Sequence, residues 1–155
     1  MHRDARGLPI STASAKGAAA FDHLVTGYLT YRADTPDRLK AVLEADPDFA
    51  LAHCMQGYFA MLAFKQAVVP VAVQAARTAQ SLAAGATPRE RSHIAALTAW
   101  SEGELDRAIA VWESILRTDP HDVVAFRLAH FVNFWLGRPQ AVSYTHLTLP
   151  TNREV

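Results

Sequence analysis

The segment Thr87–Gly137 constrains this chain more than any other. It reads TPRERSHIAALTAWSEGELDRAIAVWESILRTDPHDVVAFRLAHFVNFWLG. Thr87-Pro88-Arg89-Glu90 is a capping box with proline at the first helical position, so a helix starts there and runs to about Trp100. Gly103 supplies the turn. Glu104–Arg117 is a second helix, with Leu105, Ala108, Ile109, Trp112, Ile115 and Leu116 recurring on one face. Asp119-Pro120 breaks it, because proline has no N–H to continue the ladder. A third helix follows over Val123–Leu136, stopped at Gly137-Arg138-Pro139. Two helices joined by so short a turn must lie side by side as a helical hairpin.

The rest of the chain repeats the theme. Met1–Ile10 is a polar lead-in with Gly7 and Pro9. A helix runs from about Thr12 to Tyr31, with the apolar residues Ala20, Leu24, Tyr28 and Tyr31 recurring at helical spacing. Thr35-Pro36 marks the next N-cap, and Asp46-Pro47 ends that helix. Phe49–Phe64 carries the stripe Leu51, Cys54, Met55, Tyr58, Met61 and Leu62. Pro70 opens a helix with a small-residue face of alanines, and Gly85 stops it. The Asp-Pro breaks at Pro47 and Pro120 are separated by two periods of roughly 34 residues plus about five, the spacing of tetratricopeptide repeats. With Pro120 as a repeat's terminal proline, Ala108 takes the small position and Trp112 the large one. The fold class expected is all-α: a tetratricopeptide-like helical-hairpin solenoid of about three hairpins plus one unpaired helix.

The end of the chain has a different character. Val142–Thr151 reads VSYTHLTLPT, Thr-rich and β-prone, directly after an alanine-rich helical stretch. It resembles one reading frame of the transposase adapter used to prepare sequencing libraries. The organisation expected is therefore a lead-in over residues 1–10, a truncated helical repeat domain over 11–141, and a non-native tail over 142–155. On this reading the native protein is longer, and the last helix has lost its partner.

Four pieces carry a family resemblance: LPISTAS within Gly7–Ser14, EADPDFALAH at Glu44–His53, PRERSHIAALTAWSEGELDRAIAVWESIL, and RLAHFVNFWLG. Together they resemble the N-terminal part of the tetratricopeptide repeat protein 38 family. The resemblance implies an all-helical superhelix in the cytosol and adds little chemistry.

Composition narrows the function classes. Lys plus Arg and Asp plus Glu are equal at 15 each, so no electrostatic case exists for nucleic acid. The longest apolar run, Val68–Val73, is broken by Pro70 and too short to span a bilayer. The N-terminus lacks a signal-peptide apolar region. Cys54 is the one cysteine, so no intrachain disulfide or CxxC metal pair can form. A soluble, cytoplasmic protein is expected.

Candidate chemistry is sparse. His53, His93 and His130 lie on the first helices of successive hairpins. Repeat register makes His53 and His130 buried packing residues and puts only His93 on the concave face. No HxxxH or HxxE pair supports a metal site. The same register places Cys54, Tyr58, Glu90, His93, Leu97, Trp100, Arg127 and Phe131 on that face. Of these, Tyr58, Glu90, His93, Trp100, Arg127 and Phe131 are the binding candidates, since aromatic and arginine side chains anchor peptides. Alternatively, Trp100, Tyr58 and Phe131 pack against further superhelical turns. Cys54 points about 100° away from His53 along the helix and reads as a buried, inert thiol. Glu44, Asp46 and Asp48 surround a helix break and cap it. No phosphate loop, GxSxG or dinucleotide fingerprint is present. The expectation is a non-catalytic scaffold for a protein or peptide partner, with no catalytic residue, metal or cofactor. The alternative is the N-terminal part of an enzyme or small-molecule binder whose site needs more repeats. A fragment ending on the exposed face of the last helix is expected to self-associate.

Overall fold

A computed structural model describes residues 2–137. The tail expected at 142–155 lies outside these described residues, as do the last four residues of the expected repeat domain.

Within them the chain is all-helical apart from one small ribbon. Seven α-helices follow in order: α1 (Ala15–Leu29), α2 (Thr35–Ala45), α3 (Ala50–Leu62), α4 (Val69–Ser81), α5 (Pro88–Ser101), α6 (Leu105–Thr118) and α7 (Val123–Trp135). The principal packing pairs are α1 with α2, α3 with α4, and α5 with α6. Helix α5 also meets α3 and α4, and α7 rests on α6. No helix among the described residues is long and apolar enough to cross a membrane.

Local chemistry sets most helix ends. The Thr87 hydroxyl accepts from Glu90 N and the Glu90 side chain accepts from Thr87 N, which closes the expected capping box. The odd-numbered helices share one kind of stop. Each is followed, two positions past its last residue, by a left-handed residue: Tyr31, Phe64, Gly103 and Gly137, with φ of 56°, 52°, 85° and 69°. After α5 the Gly103 N–H reaches the Trp100 carbonyl at 3.0 Å and Glu104 N reaches Ala99 at 2.8 Å. After α1, Tyr31 N and Arg32 N make the same two bonds to Tyr28 and Gly27. These are Schellman closures, which satisfy carbonyls left over at the helix end. Helices α2 and α6 stop instead at Asp46 and Asp119, each followed by proline.

Four expectations are corrected at this level. Asp34, not Thr35, is the N-cap of α2, because the Thr35 hydroxyl donates backward to the Arg32 carbonyl at 2.6 Å. Gly85 does not stop α4. That helix ends at Ser81, and Ala83–Gly85 forms a 3-10 turn. Tyr31 does not continue the buried stripe of α1, because the Schellman turn swings it outward to 81% exposure. Residues 2–10 are not a plain polar lead-in. His2–Arg3 (β1) and Pro9–Ile10 (β2) pair antiparallel, His2 opposite Ile10, around a turn in which Asp4 Oδ1 accepts from Arg6 N and Leu8 N. Gly7 takes the left-handed position there. The ribbon delivers Ile10 and then Thr12 into the interior, both fully buried.

The core runs along the inner faces of the helices. Trp112, Tyr58, Phe49, Leu24, Met55 and Leu97 are among its largest buried members. The alanines Ala72, Ala75, Ala76 and Ala79 give α4 a narrow buried face, which lets it lie close to α3 and α5. Where α3 meets α5, Gly57 has no room for a side chain: a methyl group there would overlap Leu97.

Candidate functional site

Four of the six sequence candidates are interior. Tyr58, Glu90, His93 and Trp100 are 1%, 0%, 0% and 5% exposed, so none lines an open groove. The expectation that His93 is the most accessible of the three histidines is reversed. His53 and His130 are half-buried, and His93 is sealed. The reason is that α5 is covered by neighbours on both sides. The Tyr58 ring of α3 meets the His93 ring edge-on, and Trp112 of α6 packs against both Tyr58 and Trp100.

These side chains form a continuous polar network. His93 Nε2 donates to Asp122 Oδ2 at 2.8 Å, and the same oxygen accepts from Arg89 Nη1 at 2.8 Å. Asp122 Oδ1 caps α7 by accepting from Ala125 N. On its other side, His93 Nδ1 lies 2.7 Å from the Tyr58 hydroxyl, which also takes the Trp112 indole N–H at 3.2 Å. Two proton arrangements satisfy this set. With neutral His93, the Tyr58 hydroxyl donates to Nδ1. With charged His93, Nδ1–H donates to the Tyr58 oxygen, and the hydroxyl turns to the His93 carbonyl 3.1 Å away.

Arg89 and Asp122 were not singled out in the sequence. Asp122 carried a legible signal, since it immediately precedes the apolar helix at Val123 and sits at its N-cap. Arg89 reads as a solvated first-turn residue, and its pairing is a tertiary fact. Its guanidinium also reaches the Pro9 carbonyl of the ribbon at 3.3 Å. Glu90 is fully committed to backbone, its two oxygens accepting from Thr87 N at 2.8 Å and Ser11 N at 3.0 Å.

Electrostatics follow burial. Burial pushes the Asp122 carboxyl upward, but the charge and hydrogen bond of His93, the Arg89 guanidinium and the Ala125 N–H outweigh it. The net effect holds Asp122 well below the usual carboxylate range. Burial drives the Tyr58 hydroxyl well above its ordinary value. Burial, with help from the Glu90 charge, does the same to the Cys54 thiol, which keeps it protonated and unreactive. Beside the network, Arg6, Leu8, Phe21, Arg89 and His121 line a pocket of about water size. The polar network joins α3, α5, α6, α7 and the ribbon. Among the described residues, no group of three or more His, Cys, Asp or Glu side chains is placed to hold a metal.

The other two candidates remain partly accessible. Arg127 and Phe131 stand one turn apart on α7, with Trp135 a further turn along the same ridge. The Phe64 ring lies 6.0 Å from Phe131 and 6.1 Å from Trp135, and those two rings are 6.0 Å apart. Arg127 lies over the Tyr31 ring at 4.7 Å and the Tyr28 ring at 5.6 Å. The Tyr28 hydroxyl is pushed up to about 12, by burial first and then by Tyr31, with Arg127 pulling the other way. The strip therefore runs from Tyr31 through Arg127 and Phe131 to Phe64 and Trp135. Tyr31, Phe64 and Trp135 are 81%, 57% and 64% exposed. In the last helix, Ala129 is buried and Phe126 and His130 are half-buried, so its open apolar side is Phe134, Trp135 and Leu136.

No family model matches this chain, and no solved structure matches it.

Proposed function

We propose that this chain is a non-catalytic, cytoplasmic helical-repeat scaffold. Its hairpins would stack as a tetratricopeptide-like solenoid, and a protein or peptide partner would dock on the strip from Tyr31 to Trp135. The resemblance to the tetratricopeptide repeat protein 38 family supports the repeat reading, as does the recurrence of one helix stop after every odd-numbered helix. The observation that carries the binding reading is that Tyr31 and Phe64 are bulky residues in left-handed backbone and largely exposed. Such a conformation costs roughly 1–2 kcal/mol per residue. Glycine holds the equivalent position after α5 and α7 without that cost. Exposed aromatics held at a strained stop are placed for recognition rather than for stability.

Selection of short random peptides displayed on phage tests this. Clones are expected that bind the protein and lose about tenfold or more in affinity on the Phe131→Ala/Trp135→Ala variant, the effect of removing aromatic anchors. If every selected clone binds the variant equally well, the strip is not the binding surface.

A further inference from the structure

The partner's chemistry is legible in what the strip lacks. Arg127 is flanked by Tyr28 and Tyr31, yet has no carboxylate within ion-pair distance among the described residues. Its one hydrogen bond there is a long one, 3.5 Å, to the Leu29 carbonyl. A guanidinium has five N–H donors, so most of its capacity is unspent, and its charge lies over two aromatic rings. The neighbouring residues Tyr31, Phe64, Phe131 and Trp135 bring apolar surface and no acid. A second copy of this chain, docking the same strip about a twofold axis, would set arginine and aromatics against themselves and leave Arg127 without a counter-charge. The surface has no strand edge either, because the one ribbon in the described residues is β1–β2 at the other end of the sequence. Main-chain strand addition is therefore unavailable. A ridge with anchors at i, i+4 and i+8 suits a second helix laid along it.

We infer that the partner is an amphipathic helix that places an Asp or Glu against Arg127 and apolar side chains among Phe64, Phe131 and Trp135. This rests on the scaffold reading above, and it specifies the ligand class for that surface.

The probe is a helix-framed display library, with an alanine and glutamine background and one randomised face. It is selected on the wild-type protein and counter-selected on Phe131→Ala/Trp135→Ala. The expected winners carry an acidic residue one turn from an apolar pair. In a synthetic copy of a winner, changing that acid to its amide should weaken binding to wild type by about tenfold. On Arg127→Ala the same change should cost less than about twofold. Arg127→Lys keeps the charge but not the planar fork and should give an intermediate loss, which separates recognition from a folding defect in the alanine variant. Winners that need Phe131 and Trp135 but no acid would overturn this inference and leave the scaffold reading intact. Winners with no dependence on the strip would overturn both. A dimer in sedimentation equilibrium that dissociates on Phe131→Ala/Trp135→Ala would assign the surface to a second copy and also overturn it.

Discussion

His93 donates its Nε2–H to Asp122 Oδ2 across 2.8 Å, with both side chains shut off from solvent. That bond joins the middle of α5 to the N-cap of α7, and Arg89 shares the same carboxylate oxygen. Asp122 is thus counter-ion, hydrogen-bond acceptor and helix cap at once.

Asp122→Ala should therefore be among the most damaging single substitutions. It strands the Arg89 guanidinium, whose side chain is only 9% exposed, and uncaps α7. Breaking a buried pair in this way costs about 3–5 kcal/mol. Asp122→Asn keeps an oxygen for the Ala125 N–H and should lose less. Urea denaturation of the three proteins gives the ranking. An alanine variant within about 1 kcal/mol of wild type would show that the pair does not hold α5 to α7.

The same carboxyl sets an acid limit. Its folded pKa lies below its unfolded value, so its contribution is present above the ordinary aspartate pKa of about 3.9. The contribution is lost as pH falls from there toward the folded value, because the unfolded chain takes up the proton first. Stability should decline below about pH 4, and Asp122→Asn should flatten that decline. Urea midpoints followed from neutral pH into acid check both. Equal acid slopes in the two proteins would place the sensitivity elsewhere.

Tyrosine titration reports on the burial of the network. Tyr58 is buried and held well above its ordinary range, and Tyr28 is pushed up to about 12. Replacing Tyr58 with Phe should leave the phenolate absorbance gained by about pH 11 unchanged, since Tyr58 does not ionise there in the folded protein. The substitution should still cost about 1–3 kcal/mol, because the Trp112 N–H loses its acceptor inside the core. A smaller absorbance change in the variant would mean that Tyr58 is accessible.

At Phe64, stability and recognition should move in opposite directions. Comparing Phe64→Gly with Phe64→Ala isolates the backbone, since both remove the ring. The glycine variant should be more stable than the alanine variant by about 1 kcal/mol, because φ is 52° there. Both should bind strip-dependent peptides more weakly than wild type. Equal melting temperatures for the two variants would mean that the left-handed stop is not strained.

Gly57→Ala should destabilise, although alanine is the better helix former. The propensity gain is up to about 1 kcal/mol. It is opposed by overlap with Leu97, a fully buried side chain with nowhere to retreat, and overpacking of a core costs about 1–3 kcal/mol. Thermal melts decide the sign.

What was legible in the sequence was short-range. The Thr87 capping box, the left-handed Gly103, and the Asp-Pro ends at Pro47 and Pro120 are each set by a few adjacent residues, and each appears where it was expected. So does the inward face of α6, because apolar period reports which side of a helix avoids water. Arg127 and Phe131 are partly accessible. The rest was decided by tertiary packing. Periodicity gives an angle around a helix axis but does not say how many of its sides a neighbour will cover. Helix α5 is enclosed by Tyr58, Trp112 and the start of α7, so His93, Glu90 and Trp100 became interior. The contacts that seal it join Arg89 to Asp122, Ser11 to Glu90 and Arg89 to Pro9, at separations of 33, 79 and 80 residues. No local pattern encodes such pairs. They exist because a buried charge or N–H must find a partner once the helices have excluded water.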